Sequence, residues 1–315
     1  MTKEFRGSYT VAVTPFTEDG SQICTNSLKR FLDWQISCDV PGIIILGTSG
    51  EFLSVGDSER RTLVRTTIDH VNGRMDVLVG TMNAYTPNAV RYSREAEEMG
   101  ADGLMVIPPY YYTPTEKEIF EYYRAISDAV SIPIMLYNNP FTSNIDMSAD
   151  LISRMSKSFD NIRYVKEASM DVGRIFDIVE KSENTMSVFA GERPVESYLL
   201  GAVGYVNPFG NYIPYSTSKM WDLLVAGRIE EAKQIQRITN KISSLIAKDH
   251  PMYGHQCYSK ALATAAGYSM GDVRHPLTRF DQLGQDGVAR RDQLVMLMNE
   301  VDSLADQMEP TAKTA

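Results

Sequence analysis

Lys166 is the residue whose setting in this sequence points most directly to covalent chemistry. It ends the run Ile162-Arg163-Tyr164-Val165-Lys166, in which an apolar strand leads straight into an ammonium group. Desolvation lowers the pKa of a lysine and yields the neutral amine that attacks a carbonyl carbon to form a Schiff base. The residues alone leave a second interpretation open, a buried ion pair with Glu167 or another carboxylate.

Tyr137 ends the preceding apolar run in the same way. Adjacent parallel strands deliver their ends to neighbouring points, so a phenol at Tyr137 can reach Lys166. Its hydroxyl can give and take a proton while a carbinolamine forms and dehydrates. The alternative is a tyrosine that only lines the site.

Two hydroxyls, Thr48 and Ser49, lie between Gly47 and Gly50 directly after another apolar run. Glycines permit close approach of the backbone, and successive backbone N–H groups in such a loop can hold a carboxylate. Threonine and serine between glycines also occur in plain turns and helix N-caps. The turn is therefore a candidate anion-binding site, although its residues alone do not distinguish such a site from a plain turn or a helix N-cap.

Short apolar runs alternate with segments of helical periodicity along most of the chain, which is typical of a parallel sheet with crossover helices. Eight such runs are present: Tyr9–Val13, Gly42–Leu46, Asp76–Thr81, Asp102–Ile107, Ile132–Tyr137, Ile162–Lys166, Met186–Ala190 and Gly204–Val206. Eight units predict an α/β fold of the TIM (β/α)8 barrel type, with active-site residues after the C-terminal strand ends. A doubly wound open sheet is the alternative, but Thr14-Pro15-Phe16 after the first run lacks the Gly-rich dinucleotide fingerprint.

Beyond the eighth run the sequence stays helical, which predicts a C-terminal helical extension on the barrel. The expected helices are Tyr215–Ala226, Ile229–Lys248, Ser259–Gly267 and Gly287–Ala305. The predicted organisation is a barrel with the catalytic site over 1–210, the final barrel helix and extension over 211–308, and a disordered tail over 309–315. No Gly-, Pro- or Ser-rich linker separates two domains.

Composition excludes several classes of protein. The 315 residues carry a formal charge of −9, from 31 basic and 40 acidic residues, which disfavours nucleic acid as a partner. No apolar run has the roughly 18 residues of a membrane helix, and because the first residues contain no apolar stretch we expect no secretory signal. Three widely spaced cysteines fit a reducing compartment, so we expect a cytoplasmic protein. The four histidines, His70, His250, His255 and His275, form no metal-ligand cluster and are expected to make surface or interhelix hydrogen bonds.

Together, these motifs resemble the dihydrodipicolinate synthase/N-acetylneuraminate lyase superfamily of class I, Schiff-base-forming aldolases. The resemblance extends from about Gly7 to the C-terminal helices. It rests on four motifs in order: Gly47-Thr48-Ser49-Gly50-Glu51, Pro109-Tyr110-Tyr111, Tyr137-Asn138-Asn139-Pro140 and Val165-Lys166-Glu167-Ala168. The family implies a TIM barrel with a C-terminal helical extension, a homotetramer of two tight dimers, and no cofactor or metal.

The resemblance also implies roles for single residues. Lys166 matches the Schiff-base lysine and Tyr137 the general acid/base. Thr48 and Ser49 match the pair that binds the carboxylate of a 2-oxo acid, and Thr48 also matches a member of the proton relay. Tyr111 matches the tyrosine that reaches across the tight dimer interface to the neighbouring subunit's relay. The substrate-binding candidates further include Gly191, where the family has a glycine bordering the pocket, and Thr142 and Val206.

Thr142 marks a departure from the family pattern. Dihydrodipicolinate synthases have an arginine shortly after the Tyr-Asn-x-Pro motif, where it binds the carboxylate of the second substrate, and Thr142 occupies that place. A threonine cannot supply the bidentate fork of a guanidinium. The segment from Tyr137 to Met147 is more similar to members that act on hydroxyproline-derived or sugar-acid-derived 2-oxo acids.

The expected function is thus a Schiff-base-forming lyase acting on pyruvate or a related 2-oxo acid. Dihydrodipicolinate (4-hydroxy-tetrahydrodipicolinate) synthase, pyrroline-4-hydroxy-2-carboxylate deaminase and 2-keto-3-deoxy sugar acid aldolase or dehydratase are the alternatives within this chemistry. A sugar-phosphate enzyme is disfavoured because Gly201–Gly210 contains no arginine or lysine. A catalytically silent regulator that binds a small acid is disfavoured by the presence of both Lys166 and Tyr137.

Overall fold

A computed structural model describes residues 4–248 and 255–310. Its strands form a closed barrel in the chain order β1 to β8. The strands are β1 (Gly7–Val11), β2 (Gly42–Ile45), β3 (Asp76–Gly80), β4 (Gly103–Val106), β5 (Ile134–Asn138), β6 (Ile162–Glu167), β7 (Ser187–Ala190) and β8 (Gly204–Asn207). Each lies within two residues of a predicted run, and the predicted TIM barrel is confirmed.

The helices alternate with the strands and then continue beyond β8. They are α1 (Thr25–Ser37), α2 (Asp57–Val71), α3 (Thr86–Met99), α4 (Glu116–Ser127), α5 (Pro140–Ser143), α6 (Ala149–Ser158), α7 (Gly173–Ser182), α8 (Pro194–Leu199), α9 (Pro214–Val225), α10 (Ile229–Ala247), α11 (His255–Ala265) and α12 (Gly284–Gln307). Thr115 and Glu118 form a capping box at the start of α4. Gly100, in a left-handed conformation, ends α3.

The chain divides into two compact units. The central unit contains Asp76–Val206 and the residues before Gly7. Within it, β3–β4, β4–β5, β5–β6, β6–β7 and β7–β8 pair in parallel. Phe5 N–H donates to the Tyr164 hydroxyl at 3.1 Å, and the two rings lie 4.9 Å apart. The segment before β1 is thereby attached to β6 of the same unit.

The terminal unit contains Gly7–Met75 and the residues from Asn207 onward. Gly42 on β2 pairs with Tyr9 on β1, and a Cβ at Gly42 would lie 2.3 Å from the Tyr9 ring, so the tyrosine can pack there only over a glycine. Asn211 bridges the end of β1, because its Nδ2 donates to the Val11 carbonyl and its Oδ1 accepts from Val13 N–H. The helices α9, α10 and α12 pack on one another through buried side chains that include Trp221, Ile235 and Leu294.

The C-terminal helices were predicted to within a few residues, with one informative difference. The described part of helix α11 starts at His255, four residues before the predicted start, because His255, Gln256, Cys257 and Tyr258 carry little apolar periodicity. His250 and residues 311–315 of the predicted tail lie outside the described residues, and the division at residue 210 stays a prediction. None of the described helices is long and apolar enough to cross a membrane.

Candidate active site

Lys166 and Tyr137 occupy neighbouring strands at the same level. The β5–β6 register pairs Tyr137 with Lys166, and Lys166 Nζ lies 4.2 Å from the centroid of the Tyr137 ring. Both residues are buried, with Lys166 8% exposed. The Tyr137 hydroxyl accepts a hydrogen bond from Asn139 Nδ2 at 2.8 Å. A primary amine thus lies against a phenol ring away from bulk water, which suits carbonyl addition followed by proton transfer.

Glu167 follows Lys166 on β6 but points to the opposite face, because side chains alternate along a strand. Its Oε2 accepts from Asn138 Nδ2 at 2.9 Å, and its Oε1 accepts from Ser169 N–H at 2.7 Å. Burial raises the pKa of this carboxyl against the lowering effect of those hydrogen bonds. Glu167 is therefore bound to β5 and to the loop after β6, and in the described part of the chain it forms no ion pair with Lys166.

Glu192 is a carboxyl near Lys166 that the sequence did not single out. It lies just beyond the end of β7, directly after Gly191. The pKa of Glu192 is raised to about 7. Burial is the main cause and the charge of Glu167 adds to it, whereas the Met170 backbone and the charge of Lys166 act in the opposite direction. Glu192 therefore changes charge near neutral pH within electrostatic reach of the lysine. Its only sequence signal is its place after a pocket glycine, because its burial is a property of the tertiary structure.

Gly191 allows the end of β7 to approach the end of β6. Its N–H donates to the Glu167 carbonyl at 2.7 Å. A Cβ at Gly191 would lie 2.5 Å from Ala168 Cβ and 2.8 Å from the Glu167 carbonyl oxygen, well inside van der Waals contact. The residue at this position must therefore be glycine if the strand end that carries Lys166 is to keep its place.

Three further candidates of the central unit make no hydrogen bond to Lys166 or Tyr137 among the described residues. Thr142 lies in α5, where its Oγ1 donates to the Asn139 carbonyl at 3.3 Å. Tyr111 lies after β4 in a left-handed conformation with φ of 83°. It is 83% exposed and contacts Tyr112 edge to face at 5.4 Å. Val206 is buried in β8.

Thr48 and Ser49 belong to the terminal unit and follow the end of β2 closely. Gly50 N–H donates to the Gly47 carbonyl at 3.1 Å, and Glu51 N–H donates to the Thr48 carbonyl at 3.2 Å, so the segment is a compact turn. Ser49 is buried and Thr48 half-buried. Both hydroxyls thus follow the C-terminal end of a barrel strand, which is where TIM-barrel active sites form.

The first residues of α11 contact this turn, although the sequence predicted only surface or interhelix hydrogen bonds for the histidines. His255 Nε2 lies 3.2 Å from Ser49 Oγ, and Gln256 Nε2 donates to the Thr48 carbonyl at 3.3 Å. The contacting residues are separated by more than 200 positions in the chain. No local pattern could have paired them.

Glu51, the last residue of the turn, is held by a buried ion pair. Lys260 Nζ lies 2.6 Å from Glu51 Oε1, and the two side chains are 1% and 0% exposed. Arg274 N–H donates to the other carboxylate oxygen at 2.8 Å. Burial lowers the pKa of Lys260, while the charge of Glu51 raises it. The carboxylate of Glu51 thereby fixes the turn to α11 and to the segment after it.

Comparison with known proteins identifies this architecture. The model of the dihydrodipicolinate synthetase family matches residues 4–291. The 4-hydroxy-tetrahydrodipicolinate synthase of Persephonella marina is 32% identical over 251 residues, which are 79% of this chain and 85% of the relative. That of Alkaliphilus oremlandii is 30% identical over 284 residues, 89% of this chain and 95% of the relative.

Solved structures give the same result. The 4-hydroxy-tetrahydrodipicolinate synthase of Methylacidiphilum fumariolicum superposes with a TM-score of 0.88 at 28% identity, covering 96% of this chain and 99% of the other. A prophage protein of E. coli K12, described as belonging to the dihydrodipicolinic acid synthase family and solved in complex with pyruvate, has a TM-score of 0.87 at 27% identity, with 95% and 99% covered.

Proposed function

This chain belongs to the dihydrodipicolinate synthetase family, and on that basis we propose that Lys166 forms a Schiff base with pyruvate or a related 2-oxo acid. The chain is a lyase of the Schiff-base-forming, class I aldolase type. The observation that carries the assignment of Lys166 is its place at the end of β6, buried, with Nζ 4.2 Å from the Tyr137 ring.

Schiff-base formation requires proton transfer beside the amine. Amine, ketone and one proton give the iminium and one water, so a neighbouring group must deliver a proton to the departing oxygen. We assign that task to the Tyr137 hydroxyl, since it belongs to the residue that lies against Lys166. General acid–base catalysis by a positioned side chain contributes roughly 10²- to 10⁴-fold in rate.

The iminium draws electron density from the adjacent carbon, which allows the next bond to break or form. Loss of a proton from C3 gives an enamine, and the enamine can expel a leaving group at C4 or attack an aldehyde. Aldol cleavage, condensation, dehydration and deamination therefore share one intermediate. To Glu192, whose pKa is raised to about 7 and responds to the charge of Lys166, we assign the protonation of a leaving group or the stabilisation of charge beside that intermediate.

We assign the carboxylate of the 2-oxo acid to the hydroxyls of Thr48 and Ser49, as the family resemblance implies. Support comes from their position after the end of β2 and from the compact turn that holds them. In a protein of net charge −9, an anion must be bound by local donors, and hydroxyl and backbone N–H groups are such donors.

We propose that the second substrate differs from the one that dihydrodipicolinate synthases condense with pyruvate. Thr142 stands where dihydrodipicolinate synthases have an arginine, and its hydroxyl donates to the Asn139 carbonyl. Sugar-acid-derived and hydroxyproline-derived 2-oxo acids are the candidates. Steady-state assays with pyruvate plus aldehydes, with 2-keto-3-deoxy sugar acids and with pyrroline-4-hydroxy-2-carboxylate distinguish these candidates. Efficient catalysis of the dihydrodipicolinate synthase condensation would refute the proposal.

We further propose a homotetramer built from tight dimers, in the cytoplasm. The exposed Tyr111–Tyr112 pair, with Tyr111 in a left-handed conformation, supports a partner surface at this loop. Cys24, Cys38 and Cys257 are free, which fits a reducing compartment. Sedimentation velocity of the wild type tests the assembly, and a monomer at micromolar concentration contradicts it.

Borohydride reduction in the presence of pyruvate tests the central assignment. The wild type gains the mass of one reduced pyruvate, and peptide mapping places it on Lys166. Lys166→Ala gains nothing while keeping its circular dichroism spectrum. Lys181→Ala is the matched control, because Lys181 is an exposed lysine of the same unit paired with Asp150. Absence of a wild-type adduct, or an adduct that persists in Lys166→Ala, refutes the Schiff-base assignment.

A further inference from the structure

We propose that His255 is a positioning residue for substrate carboxylate binding, which it serves by donating its Nε2–H to Ser49 Oγ. This inference rests on the proposed function, since it presupposes that Ser49 binds the carboxylate. Its structural basis is the distance of 3.2 Å between His255 Nε2 and the buried Ser49 hydroxyl.

The direction of this hydrogen bond follows from counting hydrogens. A serine hydroxyl has one hydrogen to donate and two lone pairs that accept, whereas a carboxylate only accepts. Ser49 can therefore bind a carboxylate only if its single hydrogen points to that carboxylate. The contact with His255 must then run from Nε2–H to a Ser49 lone pair. If His255 accepted instead, Ser49 would turn a lone pair toward the anion and repel it.

Donation from His255 also strengthens the hydroxyl as a donor. Hydrogen bonds in a chain polarise one another, so an oxygen that accepts one hydrogen bond gives its own hydrogen more readily. Ser49 is buried, and the lower dielectric of a buried site enlarges this effect. The imidazole thus contributes to carboxylate binding through Ser49 without touching the substrate.

The rest of the helix holds the two partners in place. Gln256 donates to the Thr48 carbonyl at 3.3 Å, one residue from the His255 contact. One turn further along α11, Lys260 pairs with Glu51 at 2.6 Å. The turn and α11 are therefore joined at three points, and the contacts of Gln256 and Lys260 hold the helix backbone at His255 beside Ser49. This rigidity is what a positioning residue requires.

Two substitutions separate the hydrogen bond from the packing of the ring. His255→Phe keeps the ring and removes both nitrogens, whereas His255→Gln keeps an N–H donor near the position of Nε2. We expect His255→Phe to raise the pyruvate concentration for half-maximal trapping on Lys166 about tenfold or more, as loss of a hydrogen bond to an anion-binding group implies. Trapping at saturating pyruvate and kcat change much less. His255→Gln stays within about threefold of the wild type.

His70→Phe is the matched control, because His70 lies on α2 and pairs with Asp33 at 2.9 Å instead of contacting the turn. It should bind pyruvate as the wild type does. Thermal unfolding of all variants checks that the fold is intact. The inference is overturned if His255→Phe binds pyruvate normally, or if His255→Gln is as weak as His255→Phe.

Nitrogen NMR of the unliganded, 15N-histidine-labelled enzyme gives a reading that does not depend on catalysis. The expected result is a hydrogen on Nε2 of His255, assigned by comparison with His255→Gln. A bare Nε2 overturns the inference even if pyruvate is trapped normally. Failure of the wild type to trap pyruvate, with Nε2 protonated, refutes instead the Schiff-base function from which the carboxylate role was drawn.

Discussion

Removing the charge of the buried Lys260 should destabilise the protein far more than removing the charge of a surface lysine that lies equally close to its glutamate partner. At 2.6 Å and an effective dielectric constant of about 20, the attraction between Lys260 and Glu51 is about 6 kcal/mol. Much of that attraction offsets the cost of taking both charges out of water. In Lys260→Met the Glu51 carboxylate stays buried but has lost its positively charged partner. We therefore expect a loss of about 3–5 kcal/mol in the free energy of unfolding.

The chain offers a matched control for this experiment. Lys157 also lies 2.6 Å from a glutamate, Glu183, but the two side chains are 41% and 79% exposed. Exposed pairs contribute roughly 0–1 kcal/mol because water screens them. Lys157→Met should therefore cost about 1 kcal/mol or less, and the difference between the two methionine variants isolates the effect of burial.

Thermal and urea unfolding followed by circular dichroism measure both variants. At about 2–4 °C per kcal/mol, Lys260→Met should unfold about 10 °C below the wild type. Adding Glu51→Gln should recover part of that loss, because a neutral amide no longer requires a buried cation. Two results would show that the pair is not energetically coupled. One is a loss of unfolding free energy below about 1 kcal/mol in Lys260→Met, and the other is that the costs of Lys260→Met and Glu51→Gln simply add in the double variant.

Two further predictions concern the residues around Lys166. Tyr137→Phe should lower kcat by roughly 10²- to 10⁴-fold while pyruvate still saturates at a similar concentration, and wild-type turnover would show that Tyr137 only lines the site. For Glu192, the folded pKa of about 7 lies above the ordinary glutamate value of 4.5. The folded state therefore binds the proton more tightly, and stability falls as the pH rises through this window. Glu192→Gln should remove both that fall and a step near pH 7 in the pH–rate profile; a profile unchanged from the wild type would contradict the assignment.

The sequence was most informative where structure is repetitive. Each buried strand is a short apolar run followed by a helix, so all eight strands could be predicted, and the end of β6 identified Lys166 as the residue to examine. Tyr137 followed because parallel register places adjacent strand ends together, and the structure has this register. These are inferences from local pattern and from the regular geometry of parallel strands.

The residues that sequence reasoning missed owe their setting to contacts between distant segments. In the sequence Glu192 is an ordinary charged loop residue, and its pKa is raised mainly by burial in the tertiary structure. In the sequence, His255 is a polar residue before a helix with weak apolar periodicity, and Glu51 is only the last residue of the motif that begins at Gly47. Their partners, Ser49 and Lys260, lie about 200 residues away in the chain.

These contacts show that the C-terminal extension does more than cover apolar surface, because it also holds the turn after β2. The turn after β2 consists mainly of small residues, whose side chains can make few contacts to stabilise it. Its last residue, Glu51, has a left-handed conformation with φ of 53°. Such a conformation costs of order 1–3 kcal/mol and persists only when the surrounding structure enforces it. Helix α11 supplies that enforcement through Lys260 on Glu51 and Gln256 on Thr48. Because the same helix also places His255 on Ser49, changes in α11 should alter pyruvate affinity before they alter the reactivity of Lys166. If Ser49 binds the substrate carboxylate as proposed, a helix outside the minimal (β/α)8 pattern contributes to the binding of an acid substrate.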